Sequence, residues 1–276
     1  MIHEWTVRAA VLADLAGIAR VAELSGLGRH ETGADPDYVR HLLAHGRLAV
    51  AEAATGEVLG YAATMTIGDR TMLTDAFVVP GAQGKGAGGA LLDEVLVPGA
   101  PRMTFSSQDP RAIAAYSRRG LSATWPLLYL RGNPGTLAAP AGWFAEATTP
   151  ARAAHAARRI TGTDRTADYE YWSNRPDGGA FVLRAADDVV AAGCLGGGGD
   201  QYGLTHLRCA PEGDAGDAVV AAVASLRSPA LVCLPATHPA VTRLLGAGFV
   251  ITDFDLFMST DPAGAPDHGV FSPGLY

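Results

Sequence analysis

The stretch that decides the fold is Val78-Val79-Pro80-Gly81-Ala82-Gln83-Gly84-Lys85-Gly86-Ala87-Gly88-Gly89, which holds the only lysine of the chain. It follows an apolar run and precedes the helical pattern of residues 90–96. A glycine-rich turn between a strand and a helix N-terminus leaves several backbone N–H groups unpaired and pointing one way, which suits a pyrophosphate. The sequence therefore predicts that this turn holds a phosphorylated cofactor.

Two common phosphate loops fit this turn poorly. The ATP-type loop requires Ser or Thr after its lysine to bind magnesium, whereas Lys85 is followed by Gly86. The dinucleotide fingerprint G-x-G-x-x-G fits Gly84, Gly86 and Gly89, with Asp109 about 20 residues further on. Four residues, 80–83, separate the predicted strand from the first of these glycines, where that fingerprint expects the strand to enter the turn directly. A nicotinamide-dependent oxidoreductase stays open as a third hypothesis.

The same turn resembles the acyl-CoA loop of the GCN5-related N-acetyltransferases (GNAT), whose pattern is [Q/R]-x-x-G-x-[G/A]. Gln83, Gly86 and Gly88 fill that pattern, and residues 109–121 are similar to the family's N-x-x-A-I-x-x-Y-x-x-x-G-F. The resemblance implies an α/β fold with a mixed sheet, with acetyl-CoA as the cosubstrate. It implies an acetyl-CoA-dependent N-acetyltransferase that acts by direct acyl transfer on a small-molecule amine, such as a metabolite or an antibiotic-like compound. A non-catalytic acyl-CoA-binding or regulatory module is the alternative.

A second, weaker copy of the pattern follows in the other half of the 276 residues. We expect two tandem GNAT folds: a catalytic, acetyl-CoA-binding domain at 1–131, a Gly/Pro/Ala-rich linker at 132–147, and a degenerate GNAT-like domain at 148–276. Aligning Pro211 with Pro80 puts Asp214, Asp217 and Val219 where the first copy has Gln83, Gly86 and Gly88. Carboxylates facing a pyrophosphate repel it, so we expect one CoA per chain.

The resemblance also implies roles for individual residues. Tyr116 aligns with the tyrosine that protonates the thiolate of CoA, a role that a phenol can fill, and otherwise it only packs against the sheet. Asp75 is the candidate base, directly or through water, and its alternative role is an edge residue that only binds water. Glu52 and Asp69 are weaker candidates. The candidate cofactor-binding residues are Phe77, Val78, Val79, Gln83, Gly84, Lys85, Gly86, Ala87, Gly88, Gly89, Asp109 and Arg118.

Composition narrows the remaining possibilities. The formal net charge of −7 argues against nucleic acid as a partner and suits a cationic amine. The three cysteines lack C-x-x-C spacing, so we expect neither a metal site nor a disulfide framework. With no membrane-length apolar stretch and no signal peptide, we expect a cytoplasmic monomer or homodimer. The acids and aromatics of residues 168–172 suit either an organic-cation site or a packed amphipathic segment.

Overall fold

The computed structural model describes residues 5–26, 34–197, 202–211, 213–227, 229–261 and 269–275. The chain forms two compact units, Met1–Thr104 and Phe105–Tyr276. Within the described ranges, no helix is both long and apolar enough to cross a membrane.

The first unit is a five-stranded sheet with helices packed on it. Its elements are β1 (Trp5–Ala9), α1 (Leu15–Leu24), α2 (Pro36–His45), β2 (Gly46–Ala53), β3 (Val58–Ile67), β4 (Arg70–Val78), α3 (Ala87–Val95) and β5 (Arg102–Ser106, the last two residues falling in the second unit). The strands lie in chain order, antiparallel from β1 to β4. The β4–α3–β5 crossover makes β4 and β5 parallel. The sheet is therefore mixed, as the sequence predicts.

The second unit contains the remaining elements. They are α4 (Pro110–Ser117), β6 (Ser122–Gly132), β7 (Trp143–Thr148), α5 (Pro150–Thr161), α6 (Thr166–Asn174), β8 (Gly179–Ala185), β9 (Asp188–Gly196), β10 (Gly203–Cys209), α7 (Ala215–Ala224), β11 (Ala230–Pro235), α8 (Ala240–Gly246), β12 (Val250–Ser259) and β13 (Gly269–Val270). The strand order is β12-β6-β11-β10-β9-β8-β7, and β13 pairs with β10. The apolar helix α7 is buried over residues 215–223 and forms the core with the sheet.

Three helices begin with the same local signal, an oxygen-bearing N-cap followed by proline. Asp35, Asp109 and Thr149 each accept a hydrogen bond from a backbone N–H in the first turn of α2, α4 and α5. Such caps satisfy amide groups that have no partner within the helix, and proline at the first position loses nothing because its missing N–H would be unpaired there. These starts are therefore set by the sequence itself.

The order of elements repeats along the chain. A strand, two helices, three strands, a helix, a strand, a helix and a last strand run from β1 to β6 and again from β7 to β12. The predicted mixed-sheet α/β fold is confirmed. Residues 143–147 lay in the predicted linker, but together with Thr148 they form a strand that pairs antiparallel with β8. The second repeat thus begins earlier than residue 148.

The last strand of the first repeat packs with strands of the second. In the second unit, β6 lies between β11 and β12 and is antiparallel to both. Its pairs run from Gly132 with Ala230 to Ser122 with Ser259. This interleaving explains why the units divide between Thr104 and Phe105 and not at the predicted linker. The division into functional domains at 1–131 and 148–276 stays a prediction.

A fragment of residues 1–131 is expected to aggregate or to expose an apolar, aggregation-prone surface. It would leave both edges of β6 and its buried residues Leu127 and Leu130 without the strands that cover them. Unpaired strand edges recruit other chains. Size-exclusion chromatography of this fragment beside the full chain checks the expectation, and a monomeric, cooperatively unfolding fragment would contradict it.

Candidate active site

The open edge of β4 is the first component of the site. Parallel pairing between β4 and β5 covers only Thr71–Leu73 with Arg102–Thr104. After Leu73, the edge of β4 that faces away from β3 has no partner strand among the described pairs of the first unit. The Val79 N–H bonds the Leu59 carbonyl of β3 at 2.9 Å, so alternation turns the N–H and C=O of Val78 toward the open edge. A polar group in this gap could therefore reach the Val78 N–H.

The glycine-rich turn supplies the second component, a row of free amide groups. No described residue accepts a hydrogen bond from the N–H groups of Gly84, Lys85, Gly86, Ala87 or Gly88. The side-chain amide of Gln83 donates to the Val78 carbonyl at 2.9 Å and so holds the start of the turn against β4. The free N–H groups lie at the positive end of α3, which attracts anions. The turn, or cradle, therefore has the free N–H groups that the sequence predicts, with the exposed Lys85 among them, and binding of a pyrophosphate there stays a prediction.

Glycine is needed in the cradle for two different reasons. Gly84 and Gly86 have φ of +75° and +90°, a region that other residues adopt only with strain. Gly88 has helical geometry, and an added Cβ there would lie 3.5 Å from Val78 Cγ2, which is ordinary contact. Gly88 is thus not required by the fold, and its lack of a side chain leaves the surface of the cradle open. That openness is what the approach of a phosphate requires.

Asp75 occupies a buried polar site on β4. Its side chain accepts hydrogen bonds from Tyr38 Oη at 2.6 Å and from Tyr61 Oη at 3.3 Å. Asp75 is only 3% exposed, so the alternative of a water-binding edge residue is wrong. The Tyr61 and Phe77 rings lie 5.6 Å apart, which places Asp75 and Phe77 on the same face, as alternation along β4 predicts.

The two tyrosines are fixed as hydrogen-bond donors. Burial, and then the charge of Asp75, raises the pKa of Tyr38 and of Tyr61 well above the ordinary value for a phenol. Both phenols therefore keep their protons at neutral pH, and Asp75 accepts from them. The sequence analysis missed Tyr38 and Tyr61, although alternation along β3 could have indicated the latter.

Replacing Tyr38 by phenylalanine is expected to lower the free energy of unfolding by about 1.5–3 kcal/mol, the range for a hydrogen bond to a charged group. Tyr61→Phe is the matched control, because its longer 3.3 Å contact should cost less. Urea denaturation of the two variants measures both values. Equal losses would contradict the assignment of Tyr38 as the principal partner of Asp75.

The other predicted residues lie in the second unit, where each has a defined setting. Asp109 caps α4, and its carboxylate also pairs with the Arg111 side chain at 2.7 Å, which holds the pKa of Asp109 below its usual value. Tyr116 is 8% exposed in the last turn of α4. Arg118 is exposed at the end of that helix. The cap already employs the carboxylate of Asp109, which explains an acidic residue here without any contact to a cofactor.

The weaker base candidates have other partners or settings. Arg8 binds both Asp14 and Glu52, so Glu52 belongs to a three-residue ion cluster and its pKa is lowered by Arg8. Asp69 is highly exposed in the turn between β3 and β4. Neither residue shares the buried setting of Asp75.

In the corresponding turn of the second repeat, two acidic side chains have partners within the protein. Asp214 is the N-cap of α7 and accepts from the Asp217 N–H at 2.8 Å, while Asp217 pairs with Arg243 at 2.6 Å. Gly86 is the N-cap of α3 and Asp214 is the N-cap of α7, so these two residues correspond when the helix starts are aligned. The segment from Pro211 to Asp214 is three residues shorter than the segment from Pro80 to Gly86. The predicted alignment of Val219 with Gly88 is therefore wrong: Val219 is a fully buried core residue of α7.

The aromatic and acidic cluster at 168–172 does not form an open cation site. Asp168 is buried and pairs with Arg165 at 2.7 Å, and the Arg165 guanidinium lies 4.9 Å from the centre of the Trp172 ring. An internal cation thus already occupies the face of Trp172. The packed-segment interpretation is the one that fits, since Tyr169 and Trp172 are almost fully buried.

Comparison with known proteins agrees with the mixed-sheet α/β fold described above. The model of the acetyltransferase (GNAT) family matches residues 18–121, which include the cradle, Asp75 and Tyr116. In sequence, no curated protein matches the chain. Its structure is similar to a candidate acetyltransferase from Pyrococcus horikoshii, with a TM-score of 0.77, 13% identity, and coverage of 100% of this chain and 97% of that one.

Two further solved structures cover both repeats. One is a GCN5-related N-acetyltransferase from Sphaerobacter thermophilus, with a TM-score of 0.61, 15% identity, and coverage of 97% of this chain and 98% of that one. The other is a tandem GNAT protein from the clavulanic acid biosynthesis pathway, with a TM-score of 0.64, 14% identity, and coverage of 94% and 100%. At these identities the likeness establishes the fold alone.

Proposed function

We propose that this chain, which carries a GNAT-family acetyltransferase domain at residues 18–121, is an acetyl-CoA-dependent N-acetyltransferase of a small-molecule amine. The observation that carries the proposal is the cradle of free amides between the open edge of β4 and α3. The residues present fit the cofactor, because Gly84–Gly88 offer N–H donors to a pyrophosphate and Lys85 offers a cation. Acetyl-CoA supplies the acyl group as a thioester.

Different residues of this chain have different roles in the proposed reaction. The Val78 N–H at the open edge polarises a carbonyl placed in the gap, with Phe77 and Val79 forming the adjacent wall. Asp75, held by the two phenols, takes up the proton that the ammonium of the substrate must lose, directly or through water. Tyr116 donates a proton to the departing thiolate. The net charge of −7 favours the approach of a cationic amine.

The oxidoreductase hypothesis has lost its structural basis. A dinucleotide fold has a mostly parallel sheet, whereas in the first unit β1 to β4 are antiparallel and the parallel pairing of β4 with β5 covers three residue pairs. The acidic residue expected at the ribose, Asp109, instead caps α4 and pairs with Arg111.

Calorimetric titration distinguishes the proposal from its alternatives. We expect acetyl-CoA to bind with one site per chain and a nicotinamide cofactor to give no heat. CoA release against a panel of amines then separates an enzyme from a module that only binds acyl-CoA. Binding of the nicotinamide cofactor in place of acetyl-CoA would overturn the proposal.

A further inference from the structure

The second repeat contains a gap that matches the one beside β4. Pairing between β10 and β11 covers only Gly203 with Leu231 and Leu204 with Val232. Both repeats have a bulge directly after this point, in Leu73-Thr74-Asp75 and in Leu204-Thr205-His206. The parallel pairing therefore ends at the same position of each repeat, at Leu73 and at Leu204.

In the second repeat the gap is filled by the chain itself. Residues 269 and 270 pair with β10, Gly269 opposite Arg208 and Val270 opposite Leu207. The next N–H, of Phe271, donates to the Cys233 carbonyl of β11 at 3.3 Å. The segment thus bonds to both strands, which widens their separation to about 10 Å, twice the spacing of neighbouring strands.

Side chains of the second unit hold this segment along its length. The Arg208 guanidinium lies 4.6 Å from the centre of the Phe271 ring, and Arg165 donates to the Leu275 carbonyl at 2.5 Å. Val270, Phe271 and Leu275 are each at most 1% exposed. Both arginines are themselves buried, so the contacts are made in a dry site where they are strong.

We propose that the gap between β10 and β11 is a binding groove for a peptide segment that enters it extended, and that Gly269–Leu275 occupies it in cis, extended at its start and ending in the turn of residues 272–275. The groove offers the components of β-strand addition: a strand edge at Leu207–Arg208, a second edge at Cys233, and buried positions for the side chains of Val270 and Phe271. In the neighbouring turn the Asp214 carboxylate accepts from the Asp217 N–H, so an acidic side chain lies at the start of α7. A peptide segment therefore takes the place in this repeat that the first repeat leaves open.

Glycine at position 269 makes a point test possible in the full chain. A Cβ there would lie 2.6 Å from the Leu207 carbonyl oxygen and 2.5 Å from Arg208 Nη1, so Gly269→Val cannot pair with β10. We expect the segment to leave the groove in this variant. Ser272→Ala is the matched control, because Ser272 is only half-buried and its backbone carbonyl accepts from the Leu275 N–H in the turn of residues 272–275.

Two measurements test the proposal. Neither requires acyl-CoA, so both are independent of the proposed function. Hydrogen exchange at the Phe271 amide should accelerate at least 100-fold in Gly269→Val and stay as in the wild type in Ser272→Ala. A fluorescently labelled synthetic peptide of residues 269–275 should bind Gly269→Val at least ten times more tightly than the wild type, in which the tethered segment competes at high effective concentration.

The outcomes decide the proposal in either direction. Unchanged exchange at Phe271 in Gly269→Val, or a peptide that binds neither protein, would overturn it. If Gly269→Val does not fold, Phe271→Ala replaces it, since that change removes the ring beside Arg208 without a backbone clash. The same faster exchange and peptide binding are then expected, and their absence would refute the groove.

Discussion

Gly88→Asp is expected to weaken acetyl-CoA binding at least 100-fold while leaving the protein folded. The new carboxylate would lie in the first turn of α3, among the free amides of the cradle. Like charges about 5 Å apart at an effective dielectric of about 20 repel by roughly 3 kcal/mol, which corresponds to a factor of about 100 in affinity. The added Cβ makes only ordinary contact, and an acidic residue at a helix N-terminus is favourable. The melting temperature should therefore stay the same or rise.

Two further variants separate charge from shape. Gly88→Ala adds the methyl group alone and should lose less affinity than Gly88→Asp. Gly81→Asp adds the same charge earlier in the loop, where an added Cβ has nothing within 4 Å and φ is not positive, and it should bind nearly as the wild type does. Gly86→Asp is a poorer test because the φ of +90° adds strain. Calorimetric affinity for acetyl-CoA checks the series, and wild-type binding by Gly88→Asp would remove the cradle from the site.

Tyr116→Phe is expected to lower the turnover number by about 10²–10⁴-fold, the usual contribution of a positioned general acid. Only the hydroxyl is removed from a buried side chain, so packing in α4 is kept. Because proton donation matters after acyl transfer has begun, affinity for acetyl-CoA should stay within about twofold. Steady-state rates with any accepted amine and calorimetry of acetyl-CoA provide the two values.

Tyr171→Phe is the control for this change. Tyr171 lies in the same unit, and its ring, 5.8 Å from the Arg175 guanidinium, is retained in phenylalanine. Turnover of this variant should match the wild type. Equal turnover of Tyr116→Phe and the wild type would leave the thiolate to another donor and remove Tyr116 from the mechanism.

Local chemistry made parts of this molecule predictable. A row of glycines between a strand and a helix implies free N–H groups, and Gly84 and Gly86 are found at positive φ with those groups free. Alternation along β4 likewise puts Asp75 and Phe77 on one face. Such features depend on a few neighbouring residues, so a single sequence carries enough information to infer them.

Features that depend on distant parts of the chain were missed. Tyr38 and Asp75 are 37 residues apart, and nothing in the spacing indicates that the phenol reaches the carboxylate. The second turn is three residues shorter than the first, but aligning Pro211 with Pro80 does not reveal this. The difference follows only from the positions where α3 and α7 begin. The two-residue strand Gly269–Val270 is too short to have a period. Tertiary contacts fix each of these, not local preference.

The position of β6 has a consequence for synthesis on the ribosome. The strand ends at Gly132, but its partners end at Pro235 and Ser259, so the last partner leaves the ribosome about 127 residues later (132 to 259). At roughly 5–20 residues per second, that interval is about 6–25 seconds. Throughout it, β6 lacks both of its partner strands in the nascent chain, so its edges are open to pairing with other chains. Translation speed through the second repeat, and not the intrinsic folding rate of the first, would then set how soon the second unit can close.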